Sequence, residues 1–226
     1  GDSESLPARE REDAVRVAAS TGVRHRFIRT KELSDGRYAE NPPDRCFYCK
    51  DELYSRLFEI AREEGLPAVV DGQNADDASD YRPGSEAARR HAVRSPLKEA
   101  GLSKAEVREI ARAREIPIWD KPASPCLASR FPYGTRITAE SLDRVDTAEI
   151  FVRSLGFRDV RVRARSGSAT VEVEPGSVAR LLEPVLASRV VEALQDMGFA
   201  DVRIDPDGFR SGKLNDQIVN GESMNG

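Results

Sequence analysis

The chain has 226 residues, 39% of them hydrophobic and 33% charged, with a net charge of −4 and a mean hydropathy of −0.54. Its length allows one large domain or two small ones, and no apolar run approaches the length of a membrane span, which argues against a membrane protein. The N-terminal sequence lacks a secretory signal pattern and the acidic balance argues against a general nucleic-acid binder, so a cytoplasmic protein is predicted.

The first half of the chain predicts three helices. The first begins at Pro7 and ends at Gly22, because proline is tolerated in a first helical turn and glycine favours a helix stop. The second follows a pair of cysteines and carries apolar residues at helical spacing. The third begins with a capping box formed by Ser103 and Glu106. The apolar stripe of the first helix consists of Ala14, Val15, Ala18 and Ala19.

Short apolar runs between these helices predict strands. Phe27 and Ile28 form a strand-like segment, and residues 68–72 are an apolar run that ends in Asp-Gly. Such a run is typical of a buried parallel strand, and open α/β sheets bind ligands beyond the carboxyl ends of their strands. The polar loop that follows, residues 73–84, is therefore a candidate binding loop. It contains Asn74, Asp76, Asp77, Asp80, Tyr81 and Arg82.

A cluster of proline and glycine over residues 116–134 marks a domain boundary, after which the pattern changes. The second part predicts the order helix, strand, strand, helix, strand, which is an α+β module. We therefore expect an α/β fold, with a parallel-sheet domain over residues 1–135, a smaller α+β domain over 136–218 and a disordered tail over 219–226. The predicted elements of the second part are a helix at 139–155, strands at 160–164 and 169–173, a helical stretch interrupted at Pro184, and a strand at 202–204.

Three cysteines carry the most specific chemistry in the sequence. Cys46 and Cys49 form a C-x-x-C pair, and Cys126 lies in a proline-pinned loop shortly before a serine and an arginine. An odd number of cysteines without a secretory signal is typical of thiols or metal ligands. Four interpretations remain open: a thioredoxin-like redox pair, a structural zinc site completed by His25 or His91, an iron–sulfur cluster with one open iron, and unrelated buried thiols.

Positive charge is concentrated in one short stretch of the second domain. The stretch is either a solvated strand face or a clamp for a phosphate or carboxylate, because the planar fork of arginine suits both groups. The arginines are Arg153, Arg158, Arg161, Arg163 and Arg165.

Several motifs together resemble one enzyme family. They occur in one order over nearly the whole chain, roughly residues 5–215, and such a series is far more specific than any single motif. The chain resembles the LarE family of ATP-dependent sulfur transferases, which belongs to the PP-loop (adenine nucleotide α-hydrolase-like) superfamily. The resemblance implies that residues 1–135 are part of a PP-loop domain. The motifs are NPPDRCFYCK at 41–50, DYRPG at 80–84, SRFPYG at 129–134, VRVR at 160–163 and GFRSG at 208–212.

The resemblance implies a reaction in the biosynthesis of the nickel-pincer cofactor. ATP adenylates a carboxylate of a nicotinic-acid-mononucleotide-derived dicarboxylate, sulfur attacks the acyl-adenylate, and AMP leaves as a thiocarboxylate forms. Family members either sacrifice the sulfur of one cysteine or hold a [4Fe–4S] cluster with three cysteines. The sacrificial position falls at Pro125, one place before Cys126. The resemblance therefore implies the cluster type, whose catalytic residues and iron ligands are Cys46, Cys49 and Cys126.

The resemblance also implies which residues bind the substrate. Arg161 and Arg163 fall on a phosphate-binding arginine pair. Asp77 and Glu149 fall on acidic residues near the active site. The structural alternatives are a strand-face pair, a solvated loop acid and a helix-surface acid. The other candidates for binding substrate or phosphate are Asp80, Arg82, Ser129 and Arg130.

One part of the family pattern does not occur in the sequence. The superfamily's ATP site uses a Ser-Gly-Gly-x-Asp-Ser loop whose backbone N–H groups hold the pyrophosphate, and these 226 residues contain no such loop. We expect about 45–50 further residues upstream, which would supply the loop and the site for ATP with Mg²⁺. The predicted sheet would otherwise have an unpaired edge.

Two other functions are compatible with the sequence. A different PP-loop enzyme, for tRNA thiolation or amidation, is disfavoured by the acidic balance and kept open by the arginine stretch. A zinc-stapled module without turnover is the non-enzymatic alternative. The resemblance further implies a small-molecule nucleotide substrate, a homo-oligomer, and other nickel-pincer biosynthesis proteins as partners, with no membrane and no nucleic acid.

Overall fold

The computed structural model describes residues 1–79, 83–210 and 213–214, and the chain divides into two compact units, Gly1–Ser124 and Pro125–Gly226. This division falls earlier in the chain than the boundary predicted after residue 135, so Cys126 belongs to the second unit. The tail predicted at 219–226 lies outside the described residues. Within the described part of the chain, no helix is both long enough and apolar enough to cross a membrane.

The first unit consists mainly of helices joined by loops. They are α1 (Ala8–Thr21), α2 (Gly36–Ala39), α3 (Arg45–Glu63), α4 (Pro83–Arg90), α5 (Pro96–Glu99) and α6 (Lys104–Ala113). Helix α1 ends at Gly22, whose φ of 68° is a left-handed conformation that glycine adopts without strain. Helix α6 begins with a capping box in which Ser103 and Glu106 each accept from the other's backbone N–H. Both helix signals in the sequence are thereby confirmed.

The parallel sheet predicted for this half is not formed by the described residues of the first unit. One isolated parallel bridge joins Val70 to Arg94, and another joins Asp2 to Arg29. Val69 is buried but Val70 is 58% exposed, so the apolar run is not covered on both sides as the sequence predicted. A strand needs backbone partners along its length, and this run has a partner at a single position.

Helix α1 buries a residue that the apolar pattern did not indicate. Asp13 is its buried residue, whereas Val15 of the predicted stripe is 48% exposed. The Lys121 Nζ donates to Asp13 Oδ2 at 2.5 Å, and the Arg16 guanidinium donates to Oδ1 at 2.8 Å. These two donors satisfy the hydrogen-bonding capacity of the buried carboxylate. The contact with Lys121 joins the helix to a distant part of the chain.

Helices α3 and α4 pack closely on each other. Tyr54 of α3 is 3% exposed and forms a buried cluster with Ala87 and Ala88 of α4. The small alanine side chains let the aromatic ring approach the α4 backbone. This packing places the first turns of α3 and α4 beside the loop that follows residue 71.

The second unit has the element order that the sequence predicted. It contains α7 (Ala139–Ser154), β1 (Val160–Arg165), β2 (Ser168–Val173), α8 (Val178–Leu181), α9 (Pro184–Asp196) and β3 (Asp201–Ile204). The sheet order is β1-β2-β3, with β1 and β2 antiparallel and β2 and β3 parallel. Pro184 occupies the first turn of α9, which explains the interruption predicted there.

One face of α7 packs with the sheet to form the core of this unit. The apolar side chains between α7 and the sheet are fully buried, because α7 and β1 are joined by a short connection and present their apolar positions to each other. The molecule is therefore of mixed α/β class. The core includes Leu142, Val145, Ala148, Val152, Val160, Val162, Val171 and Leu194.

Candidate functional site

Cys46 and Cys49 are the second and fifth residues of α3, and residues three apart in a helix lie on the same side. Cys46 is exposed and Cys49 is half-buried, and the Cys49 Sγ donates to Glu32 Oε1 at 3.8 Å. A turn containing Pro42 and Pro43 precedes the helix, where a thioredoxin-like site would have a strand. The two thiols are therefore presented together at the start of α3.

Cys46 lines a cavity of about 360 Å³ in the first unit. The predicted binding loop contributes to the same cavity, so the first cysteine and the carboxyl end of the 68–72 run open into one space. The other polar and charged lining residues are Lys50, Tyr54, Asp71, Gln73, Asp77 and Ser85.

Asp71 is the most heavily hydrogen-bonded group of this cavity. It accepts from Ser95 Oγ at 2.7 Å, from Gln73 Nε2 at 2.8 Å and from Tyr54 OH at 3.1 Å. Burial alone would raise the pKa of Asp71, but these donors outweigh it and hold the pKa below its ordinary value. Burial and the Asp71 charge together raise the pKa of Tyr54 well above its usual range, so the phenol stays protonated.

Asp77 lies in a 3₁₀ turn, Ala75–Ser79, inside the predicted binding loop. Its Oδ2 accepts from the Asn74 backbone N–H at 3.0 Å, and the residue lines the cavity with Cys46. The structure thus brings Asp77 and Cys46 to one space. The remaining candidates of this loop, Asp80 and Arg82, lie outside the described residues.

Cys126 is half-buried at the start of the second unit and directly precedes a 3₁₀ helix, Leu127–Arg130. Its carbonyl oxygen accepts from the Ser129 backbone N–H at 3.0 Å and from the Ser129 Oγ at 2.8 Å. Arg130 is 1% exposed and donates from Nη1 to the Pro125 carbonyl at 3.0 Å. Hydrogen bonds from Ser129 and Arg130 to backbone carbonyls therefore hold the loop that carries the thiol.

Glu149 is completely buried on α7, so the interpretation as a helix-surface acid is wrong. Arg130 Nε donates to Oε1 at 2.7 Å and Nη2 donates to Oε2 at 3.1 Å. Arg153 and the Val162 backbone N–H also donate to this carboxylate. Burial alone would raise the pKa of Glu149, but the hydrogen bond and charge of Arg130, with Arg153, lower it below the ordinary value.

Arg161 of β1 is 5% exposed, so the interpretation as a solvated strand face is wrong at this position. Its guanidinium stacks over the Phe209 ring at 5.0 Å and donates to the Val160 carbonyl at 2.8 Å. Burial, followed by the nearby charge of Arg130, lowers the pKa of Arg161 to about 10. The group is still a cation at neutral pH, held where added negative charge would be stabilised.

Arg163, two residues further along β1, is tied to two parts of the unit. Its Nε donates to the buried Glu172 of β2 at 2.8 Å, and its Nη1 donates to the Ser129 carbonyl at 3.3 Å. The Lys213 Nζ also donates to Glu172, at 2.7 Å. The arginine strand and the Cys126 loop are therefore in direct contact.

Relatives of known sequence decide the family. No protein-family model matches the chain. A pyridinium-3,5-bisthiocarboxylic acid mononucleotide synthase of Lactiplantibacillus plantarum is 39% identical over 217 residues, which are 96% of this chain and 78% of that protein. The chain belongs to the LarE family. The protein is therefore an enzyme, a sulfur transferase.

Two further relatives have no assigned function. An uncharacterised protein of Synechocystis is 45% identical over 213 residues, which cover 94% of this chain and 80% of that protein. An uncharacterised protein of Methanocaldococcus jannaschii is 28% identical over 184 residues, 81% of this chain and 71% of its own length. This LarE chain thus aligns with bacterial and archaeal proteins over most of its length.

Two carboxylates of this LarE protein were missed by sequence reasoning. Asp71 closes the 68–72 run, and Glu172 is a fully buried acid in an otherwise apolar stretch of β2. A charged residue at an inward strand position signals a buried pair. In the β1–β2 register Glu172 lies opposite Arg161. This pairing can be predicted only when the register of the two strands is known.

The cysteines of this LarE chain are divided between the two units, with Cys46 and Cys49 in the first and Cys126 in the second. Among residues 1–79, 83–210 and 213–214, no group of three or more His, Cys, Asp or Glu side chains is placed to hold a metal ion. The donor chemistry of the three thiols suits an iron–sulfur cluster, since thiolates are its usual ligands.

Proposed function

We propose that this protein converts carboxylates of a nicotinic-acid-mononucleotide-derived dicarboxylate to thiocarboxylates through acyl-adenylates, as a step of nickel-pincer cofactor biosynthesis. Two things support the proposal: family membership, and the product named for the Lactiplantibacillus relative, which carries two thiocarboxylates. Adenylation makes the sulfur attack feasible, because AMP is a far better leaving group than oxide.

The observation that carries the proposal is the contact between the Cys126 loop and the arginine strand. Arg163 reaches from β1 to the Ser129 carbonyl at 3.3 Å, three residues after Cys126. A cysteine in a loop that contacts arginines is suited to a reaction in which sulfur is handled next to a phosphate-bearing substrate.

The phosphate of the nucleotide substrate is assigned to Arg161, with the Arg163 guanidinium as a second donor. Arg130 and Arg153 add positive charge around Arg161, and the carboxylates of Glu149 and Asp159 compensate it only in part. A dianionic phosphate would therefore gain attraction from cations that are already desolvated and oriented.

We propose Cys46, Cys49 and Cys126 as the ligands of a [4Fe–4S] cluster. Three thiolates leave one iron open, and the cluster when bound would supply a sulfide for transfer. The chain itself presents two thiols on one side of α3 near its start, and a third in the loop before the Leu127–Arg130 helix. ATP and Mg²⁺ are assigned to a pyrophosphate loop of the family type, which these 226 residues do not contain.

The test is anaerobic reconstitution of the full-length protein with iron and sulfide, followed by metal analysis and an assay of thiocarboxylate formation. We expect a broad absorption near about 400 nm, typical of [4Fe–4S] centres. Cys46→Ala, Cys49→Ala and Cys126→Ala should each lose both this absorption and repeated sulfur transfer.

The matched control is Ser154→Ala, an exposed position at the end of α7, which should retain both properties. Zinc in place of iron, or unchanged cluster content and sulfur transfer in Cys126→Ala, would contradict the proposal. Binding of tRNA with a strong salt dependence would instead favour a thiolation enzyme.

A further inference from the structure

Side chains form hydrogen bonds with the backbone carbonyls on both sides of the Cys126 α-carbon. The Cys126 carbonyl accepts from the Ser129 N–H and the Ser129 Oγ, and the Arg130 Nη1 lies 3.4 Å from the same oxygen. The carbonyl of Pro125 accepts from that Nη1 at 3.0 Å. Both carbonyls that flank the Cys126 amide and α-carbon are therefore held by side chains, so the position of the thiol depends on those side chains.

Arg130 divides its donors between the loop and helix α7. Its Nε and Nη2 form a two-point contact with the Glu149 carboxylate at 2.7 and 3.1 Å. Its Nη1 faces the other way, toward Pro125 and toward the Ser129 Oγ at 2.9 Å. The guanidinium is thus used on two sides at once, which a single ammonium could not reproduce.

Glu149 fixes the orientation of this guanidinium. The carboxylate is fully buried, and it also accepts from Arg153 and from the Val162 backbone N–H of β1. Helix α7 and strand β1 therefore determine where Glu149 lies, and Glu149 determines where Arg130 points. A fully buried, two-point arginine–carboxylate contact has little freedom to reorient.

We propose that Arg130, oriented by Glu149, is a positioning residue that holds Cys126 in place for sulfur handling and does not bind the substrate's phosphate. Its three nitrogen atoms are all engaged inside the unit, and its side chain is 1% exposed. This role rests on the proposed sulfur transfer, and it replaces the phosphate-binding role that the sequence motif suggested for Arg130.

The first test measures Cys126 directly and does not depend on catalysis. The full-length protein without metal is treated with iodoacetamide, digested, and the alkylation rate of each cysteine peptide is measured by mass spectrometry. Arg130→Lys keeps the positive charge but cannot reach Glu149 and the loop together. We expect Cys126 to be alkylated about fivefold faster in this variant, because the loop opens more often.

Two controls accompany this test, one cysteine of the same protein and one further variant. Cys46 lies in the other unit, so its alkylation rate should not change and reports any general unfolding. Arg144→Lys alters an arginine of α7, the helix that carries Glu149; Arg144 pairs with Glu140 at 2.7 Å, and this variant should leave Cys126 at the wild-type rate. Should Arg130→Lys not fold, Ser129→Ala replaces it, with a smaller expected acceleration of about twofold.

The second test separates positioning from phosphate binding. In the sulfur-transfer assay, Arg130→Lys should lower kcat by about tenfold or more while the KM for the nucleotide substrate stays the same, because a displaced thiol affects the reaction and not binding. Arg161→Lys should show the opposite pattern, a raised KM, since it alters the assigned phosphate ligand.

The two tests distinguish failure of this inference from failure of the proposed function. A protein with no sulfur transfer would contradict the proposed function, while faster alkylation of Cys126 alone would still support the positioning contact. An unchanged alkylation rate at Cys126 in both Arg130→Lys and Ser129→Ala overturns the inference. A raised KM with unchanged alkylation would return Arg130 to the role of phosphate ligand.

Discussion

At the scale of single residues, Glu149 is a buried carboxylate that pairs with two arginines of the second unit, Arg130 and Arg153. Two arginines and one backbone N–H donate to a carboxylate that has no exposed surface. Glu149→Gln should lower the free energy of unfolding by about 3 kcal/mol, because it leaves buried arginine charge uncompensated. Urea unfolding at pH 7 measures the loss.

The control is Glu140→Gln on the same helix, whose side chain is 82% exposed and pairs with Arg144. An exposed pair is worth little, so we expect a change below about 0.5 kcal/mol. Equal losses at the two positions would show that the burial of Glu149 carries no special weight.

The lowered pKa of Glu149 leads us to expect that the free energy of unfolding depends on pH. The arginines hold the pKa of Glu149 below its ordinary value in the folded protein, against the opposing effect of burial. A lowered folded-state pKa stabilises the fold at pH values above the unfolded pKa of about 4.3, and this contribution is lost as the pH falls below it. The gap in unfolding free energy between wild type and Glu149→Gln should therefore be constant from about pH 6 to 8 and shrink toward pH 3. Urea unfolding over this range measures it, and a gap that widens in acid would mean a raised pKa.

At the scale of elements, Gly208 shows how the start of the GFRSG motif is held against the sheet. Its φ is 72°, and a Cβ placed there would lie 2.6 Å from the Val173 carbonyl oxygen and 2.9 Å from a methyl group of Val178. The next residue, Phe209, donates its N–H to the same Val173 carbonyl at 2.7 Å and stacks on Arg161. The glycine thus allows the close approach that brings Phe209 to the arginine.

Gly208→Ala should lower the free energy of unfolding by about 2 kcal/mol, through both the left-handed backbone and the clash. It should also weaken substrate binding, because Phe209 would move away from Arg161. Gly176→Ala is the matched control, since Gly176 has an ordinary φ and open space around its Cβ position. The measurements are urea unfolding and the KM for the nucleotide substrate, and similar losses in the two variants would count against the role of the close approach.

The elements differ in how well the sequence predicts them, for a physical reason. Helix α7, strands β1 and β2, and the Gly22 and Ser103 helix signals depend on local patterns and were found where the sequence indicated. The strands expected at Phe27 and at residues 68–72 depend on partners distant in the chain, and apolar content alone does not supply those partners.

The candidate site was predictable to a similar extent. Most of its candidate residues came from motifs. Asp71 and Glu172 did not, and neither did the burial of Arg130, Glu149 and Arg161. Charged residues are rarely buried unless they are paired, and the pairing here joins a loop, a helix and a strand. Only the three-dimensional arrangement shows that Arg130 contacts both Glu149 and the Cys126 loop.

At the scale of the whole molecule, the two units differ in how much apolar surface they bury. Of the buried apolar residues in the described part of the chain, seven lie in the first unit and twenty in the second. Local opening is easiest where few apolar contacts and few backbone ladders resist it. The amides of β1 and β2, which pair over six positions, should therefore outlast those of the isolated bridges.

Hydrogen exchange on the intact protein tests this difference. We expect the amides that bond across the β1–β2 pair to exchange at least about a hundredfold more slowly than those of Asp71 and Arg94, which bond across a single bridge. Glu149→Gln should speed exchange in β1, because Val162 loses its carboxylate acceptor, and should leave Asp71 unchanged. Equal protection in the two units, or a change in both on this substitution, would mean that they unfold as one cooperative body.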